Sequence, residues 1–544
     1  MNSKLPESPT SVRPDTGDEP TDPRDETIAR ALLGEIAEDS SNLRRLFRRH
    51  PKKNGRLFRK TELIAIYRDL VDQKDIPSDP QLFRALRVKP RRTQSGVATV
   101  TVLTKPYPCP GKCTFCPTDA RMPKSYLPDE PGCMRAERHD FDPFDQVAAR
   151  IRTLHENGHP VEKIELLILG GTWSAYANDY QDWFLLRCLD AMNGEDSATL
   201  EEAQIRNENA PHRNVGLVIE TRPDHVRPRE IRRLRRLGVT KIQMGAQSLD
   251  DEVLRLNQRG HDVAATRRAV DLLRRAGFKL VLHWMPNLLG SSPEKDRVDF
   301  QRLWNDPSLQ PDEIKIYPCS LLEKAELFDY WKRGEYEPYD DPTLIDLIAD
   351  CKTRVPRFCR INRVYRDIPA DNIVAGTRLN NLRQWVRDRL EETNRSCRCM
   401  RCREVVRHDV SAESLDFNDL QYSTQHGVEH FLSFDTPADR LAGYLRLSLP
   451  SKTAPDLEID ELKDASLVRE VHVFGQAQQL GNVDSGAAQH VGLGRRLLER
   501  AEDIARANGF PRMAIIASVG TRGYYAARGY SLEGTYMVKE LATS

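Results

Sequence analysis

The stretch Cys-Pro-Gly-Lys-Cys-Thr-Phe-Cys, residues 109–116, carries three cysteines: Cys109, Cys113 and Cys116. Thiolates are soft donors, and a short loop with this spacing suits three corners of a 4Fe-4S iron–sulfur cluster. Three ligands leave one iron without a protein ligand, so that iron can bind a substrate or cofactor directly. A zinc knuckle or reduced core thiols are the alternatives. Zinc usually takes four ligands, however, and no fourth donor is close in the sequence.

Length and composition indicate several domains in a reducing compartment. The chain has 544 residues, too many for one hydrophobic core. Its 11 cysteines are odd in number and unevenly clustered, so they do not indicate a disulfide framework. The sequence shows neither a signal peptide nor an apolar run of membrane-spanning length. We therefore expect a cytoplasmic protein with no membrane partner, and its net charge of +1 favours no class of partner.

The amino-terminal region is predicted to be a disordered tail over residues 1–26, followed by a basic helical module over residues 27–95. Residues 44–60 are rich in Lys and Arg and contain no acidic residue. Clustered cations suit the phosphates of a nucleic acid, because their binding releases counterions. A solvated basic surface is the alternative. The candidate nucleic-acid ligands are Arg44, Arg45, Arg48, Arg49, Lys52, Lys53, Arg56, Arg59 and Lys60.

Residues 96–390 alternate between predicted strands and amphipathic helices. The predicted strands are Val97–Leu103, Ile164–Leu169, Val215–Glu220, Lys241–Gly245, Lys279–Met285, Ile314–Tyr317 and Arg360–Tyr365. Repeated strand–helix units indicate an α/β fold with a parallel sheet or partial (βα) barrel. Functional residues of such folds gather at the carboxyl ends of the strands. The cysteine loop, Gly170-Gly171-Thr172, Glu220 and Gln247 all lie at such ends.

The last section, residues 415–544, has a different pattern. Predicted strands at Leu467–Phe474, Arg512–Ser518 and Thr535–Leu541 accompany a helix at Arg495–Ala507. The segment Gln489-His490-Val491-Gly492-Leu493-Gly494 lies between the first strand and this helix. It presents backbone N–H groups at a helix N-terminus, where a pyrophosphate binds well.

The cysteine spacing, with the aromatic Phe115 before the last cysteine, resembles that of the radical S-adenosylmethionine (SAM) enzymes. In that family the open iron chelates the amino and carboxylate groups of SAM. The resemblance implies that Gly170, Gly171 and Thr172 bind the amino group of SAM. It further suggests Glu220 and Gln247 as polar partners of its ribose and methionine parts, and Arg259 as the partner of its carboxylate. Local structural hydrogen bonds are the alternative role for each of these residues.

The glycine-containing segment near residue 490 resembles the acetyl-CoA site of the GNAT acetyltransferases. The residues that acetyl-CoA would contact are Glu470, Val471, His472, Val473, Gln489, Val491, Gly492, Leu493 and Gly494. Tyr525 matches a tyrosine that approaches the CoA sulfur in that family, and Tyr524 is the alternative. Ordinary core packing would also explain either tyrosine.

A radical SAM region followed by a GNAT region is similar to the catalytic subunit of the Elongator family in its stand-alone prokaryotic form. Matching stretches, in order, are Met134-Arg135-Ala136, Asp142-Pro143-Phe144, Leu169-Gly170-Gly171-Thr172, Glu220-Thr221-Arg222-Pro223-Asp224, Asn257-Gln258-Arg259-Gly260-His261, Lys315-Ile316-Tyr317-Pro318, Arg366-Asp367-Ile368-Pro369, Arg469-Glu470-Val471-His472-Val473 and Val519-Gly520-Thr521-Arg522. The resemblance implies a tRNA carboxymethyluridine synthase. Such an enzyme adds a carboxymethyl group, derived from acetyl-CoA, to carbon 5 of the wobble uridine in the anticodon stem-loop.

The implied chemistry assigns roles to three further residues. Cleavage of SAM would give a 5′-deoxyadenosyl radical that takes hydrogen from the acetyl methyl group, and the carbon radical would add to uracil. Loss of an electron and a proton, then thioester hydrolysis, would complete the product. Lys163 matches a lysine that the family associates with acetyl-CoA, while Lys315 and Tyr317 are candidates for holding uridine or the acetyl group. The resemblance also implies an electron donor, and it leaves a homodimer open.

A second cysteine group lies in a linker predicted over residues 391–414. Cys397, Cys399 and Cys402 predict a structural zinc site, with free thiols as the alternative. Cys319 is the first choice for the fourth ligand and His408 the second. Cys351 and Cys359 are the least favoured candidates for this ligand.

Two other functions stay open at this point. The first is a protein lysine acetyltransferase of the histone-modifying type, in which the iron–sulfur cluster is only structural. The second is a non-catalytic scaffold that binds tRNA. The sequence favours the enzyme, because a binding module needs neither a SAM cluster nor a CoA loop.

Overall fold

The computed structural model describes residues 23–93, 95–405, 414–474 and 492–541, and it divides into two compact units. The first unit contains Met1–Pro90 and Thr153–His159, and the second contains Arg91–Arg152 and Pro160–Ser544, each to the extent that it is described. The second unit holds two separate seven-stranded sheets.

The first unit is helical, as predicted for the basic module. Its helices are α1 (Pro23–Glu38), α2 (Leu43–Arg49), α3 (Lys60–Asp72) and α4 (Pro80–Leu86). Their apolar faces share one core that includes Leu32, Leu63 and Leu86. Helix α1 already begins at Pro23, so the last residues of the predicted disordered tail are helical. The rest of that tail lies outside the described residues.

The first sheet of the second unit is an open, curled parallel sheet, a partial barrel. Its strands are β1 (Ala98–Leu103), β2 (Lys163–Leu169), β3 (Arg213–Thr221), β4 (Lys241–Gln247), β5 (Lys279–Trp284), β6 (Glu313–Ile316) and β8 (Arg360–Arg363). They pair in chain order and all run parallel, so their carboxyl ends share one edge. Strands β7 (Leu321–Leu322) and β9 (Ile373–Ala375) form a separate small ladder.

Helices accompany these strands and give the repeated strand–helix order. They are α5 (Pro131–Glu137), α6 (Pro143–Glu156), α7 (Asn178–Asn193), α8 (Leu200–Asn207), α9 (Pro228–Arg236), α10 (Asp251–Leu256), α11 (Val263–Arg275), α12 (Pro293–Asn305), α13 (Leu327–Lys332), α14 (Asp341–Thr353), α15 (Leu382–Glu392) and α16 (Met400–Arg403). Connections that return each strand parallel to the one before it require such crossovers.

The second sheet is mostly antiparallel. Its strands are β10 (Asp416–Thr424), β11 (Gly427–Asp435), β12 (Leu441–Pro450), β13 (Ala465–Val473), β14 (Arg512–Ile515), β15 (Ser531–Glu533) and β16 (Tyr536–Glu540). Helices α17 (Leu493–Ala507) and α18 (Arg522–Ala526) complete the domain. Leu497 of α17 packs with Leu445 and Val468 in one apolar core. Together the two sheets confirm the predicted α/β fold class, although β10, β11 and β12 were not predicted from the sequence.

The second sheet packs against the amino ends of the strands of the first. Arg469 of β13 lies 2.6 Å from a carboxylate oxygen of Asp312, the residue before β6, and neither side chain is exposed. Ser518 donates a hydrogen bond of 2.9 Å to the backbone oxygen of Asn214 in β3. The carboxyl ends of the same strands, where the cysteine loop begins, therefore lie at the opposite edge. None of the described helices combines the length and the apolar character needed to cross a bilayer.

Candidate active site

The cysteine loop leaves β1 at the carboxyl edge of the first sheet. Cys113 Sγ accepts a hydrogen bond of 2.9 Å from Arg259 Nη1. Cys109 Sγ lies 3.9 Å from Thr172 Oγ1, at the end of β2. The backbone N–H of Cys116 donates to the oxygen of Cys113 at 3.1 Å. Elements that are far apart in sequence thus position the three sulfurs.

Two buried arginines make this edge electropositive. Arg222 is 5% exposed and Arg259 is 4% exposed. Asp224 and the backbone oxygen of Arg259 hold the Arg222 guanidinium, at 3.0 Å and 2.7 Å. A hydrogen bond with Cys116, reinforced by the charges of Arg259 and Arg222, lowers the pKa of Cys113 to about 5. The loop can therefore present a thiolate at neutral pH, as metal binding requires.

The donor set at this edge fits an iron–sulfur cluster with bound SAM. The thiols of Cys113 and Cys116 are hydrogen-bonded to each other, and side chains from the ends of other strands contact Cys109 and Cys113. Around them, Gln247 Oε1, Arg222 Nη1 and Arg259 Nε are buried without a hydrogen-bond partner among the described residues. Such orphaned polar atoms are explained by a polar ligand.

In the turn after β2, the backbone at Gly170 lies so close to Thr104 that no side chain fits there. Gly170 has a φ of +139°, and a Cβ there would lie 1.8 Å from Thr104 Oγ1. Thr104 Oγ1 is itself fixed by a 2.7 Å hydrogen bond to Tyr176 OH. Gly171 also has a positive φ, of +91°. These two residues, with Thr172, leave backbone atoms accessible beside Cys109.

The interior of the first sheet is polar near its carboxyl edge. Lys315 of β6 donates to Gln243 Oε1 and lies 3.9 Å from Glu220 Oε1. Tyr126 OH donates to Glu220 Oε2 at 2.8 Å. The His283 ring also reaches Gln243 Oε1, at 3.2 Å. The structure thus gathers strands β3 to β6 around one polar cluster.

Tyr317 joins this cluster through the ring of His283, at a centroid distance of 5.4 Å. Burial and the Lys315 charge hold the pKa of His283 well below its ordinary value, so this ring is neutral. Sequence reasoning singled out Lys315, Tyr317 and Glu220 but missed Gln243 and His283. Their signal was present, since a polar residue within an apolar strand must face a polar interior.

Lys163 lies apart from these residues, at the beginning of β2. Its register partner is Arg213 at the start of β3, next to Asn214, which Ser518 of the second domain contacts. Burial lowers the pKa of Lys163. This lysine is therefore on the side of the sheet that faces the second domain, remote from the cysteine edge.

The structure uses Glu470, a predicted acetyl-CoA contact, to join the two domains. Its carboxylate binds Lys279 of β5, Arg446 Nε at 3.0 Å and Tyr444 OH at 2.5 Å. Val471 and Val473 pack against the core of the second domain. Burial lowers the pKa of the neighbouring His472 to about 4. Strand β13 therefore ends beside the predicted CoA loop, but the carboxylate of Glu470 is already bound by other side chains of the protein.

Only part of that loop is described, because Gln489 and Val491 lie outside the described residues. Gly492 precedes α17 with a φ of +68°, and Leu493 is buried at its start. A Cβ on Gly494 would lie 2.8 Å from Tyr524 OH and 3.8 Å from Val473. Tyr525, the preferred tyrosine, is 8% exposed in the core, whereas Tyr524 is 39% exposed. The geometry therefore favours Tyr524 over Tyr525 beside the loop.

Cys397, Cys399 and Cys402 form a compact group whose sulfurs all lie within 4.8 Å of one another. This donor set suits one metal ion. Cys319 does not join it: this residue packs in another cluster with Cys113 and Phe115. The structure therefore does not support Cys319 as the fourth ligand. His408 lies outside the described residues, Cys351 is buried, and Cys359 contacts the group through its backbone oxygen, 2.9 Å from Met400 N.

The basic residues of the first unit are mostly exposed, with Lys52 and Lys60 half-buried. Arg49 pairs with Glu35 at 3.2 Å and Lys52 with Glu62 at 3.0 Å. Lys60 donates to the backbone oxygen of Ala85. The others form no ion pair with any described residue; they are Arg44, Arg45, Arg48, Lys53, Arg56 and Arg59. Their charges remain available to an anionic partner.

Comparison with known proteins agrees with this geometry. The Radical SAM superfamily matches residues 107–300, and the Radical_SAM C-terminal domain matches residues 311–392. The sheet, the three-cysteine loop and these matches define a radical SAM enzyme, a class that carries a 4Fe-4S cluster and uses SAM.

Relatives that match nearly the whole chain specify the family. "tRNA uridine(34) acetyltransferase" of Dehalococcoides mccartyi is 45% identical, covering 83% of this chain and 99% of the relative. "Elongator complex protein 3" of Homo sapiens is 36% identical, covering 85% and 87%. The solved structure of an archaeal Methanocaldococcus infernus Elp3 with an N-terminal deletion is 40% identical, covers 82% of this chain and 100% of that one, and has a TM-score of 0.72. The chain belongs to the family of Elongator complex protein 3 and the tRNA uridine(34) acetyltransferases.

Proposed function

We propose that this enzyme is a tRNA carboxymethyluridine synthase, which uses SAM and acetyl-CoA to add a carboxymethyl group to carbon 5 of the wobble uridine. The printed names of the bacterial and archaeal relatives refer to uridine 34 of tRNA. The observation that supports the proposal is that the cysteine loop and the second domain both adjoin one sheet. The cysteine loop lies at its carboxyl edge, and the second α/β domain packs on its amino edge.

The cysteine edge would hold the cluster and SAM, which together supply a carbon-centred radical when bound. Cys109, Cys113 and Cys116 are the ligands, and Arg259 Nη1 donates to Cys113 Sγ. Arg259 Nη1 is engaged with this thiolate and Nη2 with the backbone oxygen of Gly245, so the unpartnered Nε would be the donor to SAM. Gln247 Oε1 and the half-buried backbone at Gly170 and Gly171 would be the acceptors for the amino group of SAM.

The polar cluster of β3 to β6 would hold the reacting groups. Lys315 Nζ can donate to a uracil or thioester oxygen, while Gln243 and Glu220 orient its ammonium group. Neutral His283 adds a hydrogen bond to Gln243 without adding charge. Tyr317 offers an aromatic face and a hydroxyl near an extruded base, in the manner of pockets that receive flipped nucleotides.

The second domain would bind acetyl-CoA and deliver its acetyl group rather than acetylate an amine. Backbone N–H groups at the start of α17 suit the pyrophosphate, with Gly492 and Gly494 leaving room for it. Tyr524 is the accessible tyrosine beside Gly494. Lys163, at the edge of the first sheet that faces this domain, would contact the CoA moiety.

Two supporting sites complete the proposal. Cys397, Cys399 and Cys402 would be three of the ligands of a structural zinc ion. The unpaired cations of α2 and of the segment after it would bind the RNA backbone, which is the dominant source of affinity in such complexes. An external electron donor is required to reduce the cluster.

The test follows the acetyl carbons. Anaerobically reconstituted protein is incubated with total tRNA, SAM, reductant and acetyl-CoA labelled with ¹³C in the acetyl group, and the tRNA nucleosides are analysed by mass spectrometry. We expect both labelled carbons in carboxymethyluridine from the wobble position, and none with the variant in which the three loop cysteines are alanine. Label confined to protein lysines would overturn the proposal in favour of a lysine acetyltransferase.

A further inference from the structure

A cavity of about 510 Å³ opens on the outer side of the first sheet, beside the cysteine edge. Its lining comes from two segments, the one between β3 and α9 and the one between α10 and α11. The first segment follows Arg222 and the second follows Arg259, the two arginines that contact the cysteine loop. The cavity therefore adjoins the reaction site, although none of its lining residues has a role in the proposed chemistry.

Two arginines supply the free charge of this cavity. Arg227 and Arg268 both line it, both are exposed, and neither forms an ion pair with any described residue. Two carboxylates also line it. Asp224 is paired with the Arg222 guanidinium, whereas Asp262 accepts the backbone N–H of Ala265 and keeps its negative charge. Two arginines against this one carboxylate leave the lining with a net positive charge.

Backbone dipoles add to this potential. Arg227 is the residue before α9, and the N-terminus of α9 has no side-chain cap among the described residues. Asp262 is the residue before α11, whose first turn contributes Ala265 to the lining. Both helices begin at the cavity, but Asp262 already caps α11, so the uncapped N-terminus of α9 is the one that can attract a further anion. His261 lines the same space with both ring nitrogens shielded from solvent.

We infer that this cavity is a phosphate subsite that binds a backbone phosphate of the RNA substrate next to the reacting nucleotide. Bidentate guanidinium groups match phosphate oxygens in geometry and charge. A nucleotide whose base reaches the polar cluster carries its flanking phosphates to the rim of the carboxyl edge, where Arg227 and Arg268 lie. The subsite rests on the proposed function only in taking RNA as the substrate.

RNA binding tests this inference with a matched control. The full-length protein is titrated with a fluorescent anticodon stem-loop RNA at several salt concentrations, as wild type, as Arg227→Ala/Arg268→Ala and as Arg229→Ala. Arg229 is an exposed, unpaired arginine of α9 that does not line the cavity. We expect the double variant to bind about tenfold more weakly, with a salt slope shallower by about 1, while Arg229→Ala stays within about twofold of wild type.

Further arms separate the alternatives. Arg227→Lys/Arg268→Lys should restore only part of the affinity, because lysine keeps the charge but not the bidentate geometry, and thermal melting should show that all variants are folded. An affinity loss no larger than that of Arg229→Ala would overturn the inference. So would ³¹P line broadening of inorganic phosphate that disappears in the double alanine variant while its RNA affinity is unchanged, because the cavity would then be a free-phosphate site.

The outcome is independent of the proposed chemistry. If wild type binds RNA through the cavity but forms no carboxymethyluridine, the proposed function fails and the subsite stands. If carboxymethyluridine forms and the double alanine variant binds RNA like wild type, the subsite fails and the proposed function stands.

Discussion

Lys315 is the side chain whose surroundings say most about the reaction. It is 8% exposed, and its ammonium group is held between Gln243 and Glu220 inside the sheet. A buried cation with an orienting amide is suited to stabilise negative charge that develops on a substrate oxygen.

Replacing Lys315 by methionine should therefore reduce carboxymethyluridine formation by at least about 100-fold. Glu220 keeps its hydrogen bond from Tyr126, so the fold should survive. Single-turnover product yield is the measurement, and RNA affinity is the accompanying readout that should not change. Lys332→Met, at an exposed lysine of α13, is the matched control. Equal product yields from the two variants would contradict a role for Lys315.

Asp299 of α12 provides a prediction about pH. Its carboxylate accepts hydrogen bonds from Trp284 Nε1 at 2.8 Å and from the backbone N–H of Leu249 at 2.7 Å. Burial nevertheless raises its pKa to about 6. A carboxyl group with a raised folded-state pKa stabilises the protein below its unfolded-state pKa of about 4, and that stabilisation is lost as the pH rises through about 6.

The variant Asp299→Asn cannot titrate at this position. The free energy of unfolding of wild type minus that of the variant should therefore fall by about 3 kcal/mol between pH 4 and pH 7. Urea unfolding of both proteins at each pH measures this difference. A difference that stays constant with pH would show that Asp299 has an ordinary pKa in the folded protein.

Single residues also show what the sequence could and could not reveal. The spacing of Cys109, Cys113 and Cys116 predicted a cluster-binding loop, and in the structure Thr172 lies near the sulfur of Cys109 while Arg259 donates to that of Cys113. The contact of Arg222 with that loop depends on how β3 is placed beside β1 and β2, which no local pattern encodes. Cys319 was predicted as the fourth zinc ligand because it would tie the linker to the radical SAM region, but the fold places it in an apolar cluster with Cys113 and Phe115.

Among the secondary-structure elements, the end of β2 has the strictest requirement for glycine. Gly170 combines a positive φ with a neighbouring Thr104 side chain that leaves no space for a Cβ. Gly194, which ends α7, also has a positive φ, of +79°, but a Cβ there would meet nothing within 4 Å. Replacing Gly194 would therefore introduce backbone strain alone, whereas replacing Gly170 would introduce backbone strain and steric overlap.

Gly194→Ala should cost about 1 kcal/mol of unfolding free energy, the usual penalty for a non-glycine residue at a positive φ. Gly170→Ala should cost at least about 3 kcal/mol, because Thr104 must also move. The shift of the urea midpoint measures both. Equal shifts would mean that the turn after β2 relaxes freely.

The elements themselves were predicted unevenly, for a physical reason. Strands β1 to β6 are short, largely apolar runs that end at turns, so each is visible in the sequence. Strand β10 is exposed along much of its length at the edge of the second sheet and has no such signature. The available signal was Gly427, which begins β11 directly after the Gln425-His426 turn, since a glycine next to a short turn between two strand-like runs indicates a hairpin.

At the level of the whole molecule, buried charges join the two domains of the second unit. Arg469 binds Asp312 at 2.6 Å and Glu429 at 2.9 Å, and all three side chains are almost fully buried. A second contact, between Arg232 and Glu458 at 2.7 Å, is exposed. Arg469 and Arg232 thus join the same two domains, but Arg469 does so in the buried interior and Arg232 at the solvent-exposed surface.

Arg469→Met should destabilise the protein by about 3–5 kcal/mol, because it leaves Asp312 and Glu429 buried with less compensation. Arg232→Ala should change stability by less than about 1 kcal/mol. Thermal and urea unfolding of the full chain measure both effects. If Arg469→Met were as mild as Arg232→Ala, the buried network would not hold the domains together.

The central claim is that a radical made at the cysteine edge acts on an acetyl group supplied by the second domain. The most direct measurement uses acetyl-CoA deuterated in its methyl group, with reconstituted protein, tRNA, SAM and reductant, followed by mass spectrometry of the 5′-deoxyadenosine formed. We predict deuterium in 5′-deoxyadenosine. Formation of 5′-deoxyadenosine without deuterium, alongside modified tRNA, would contradict this claim.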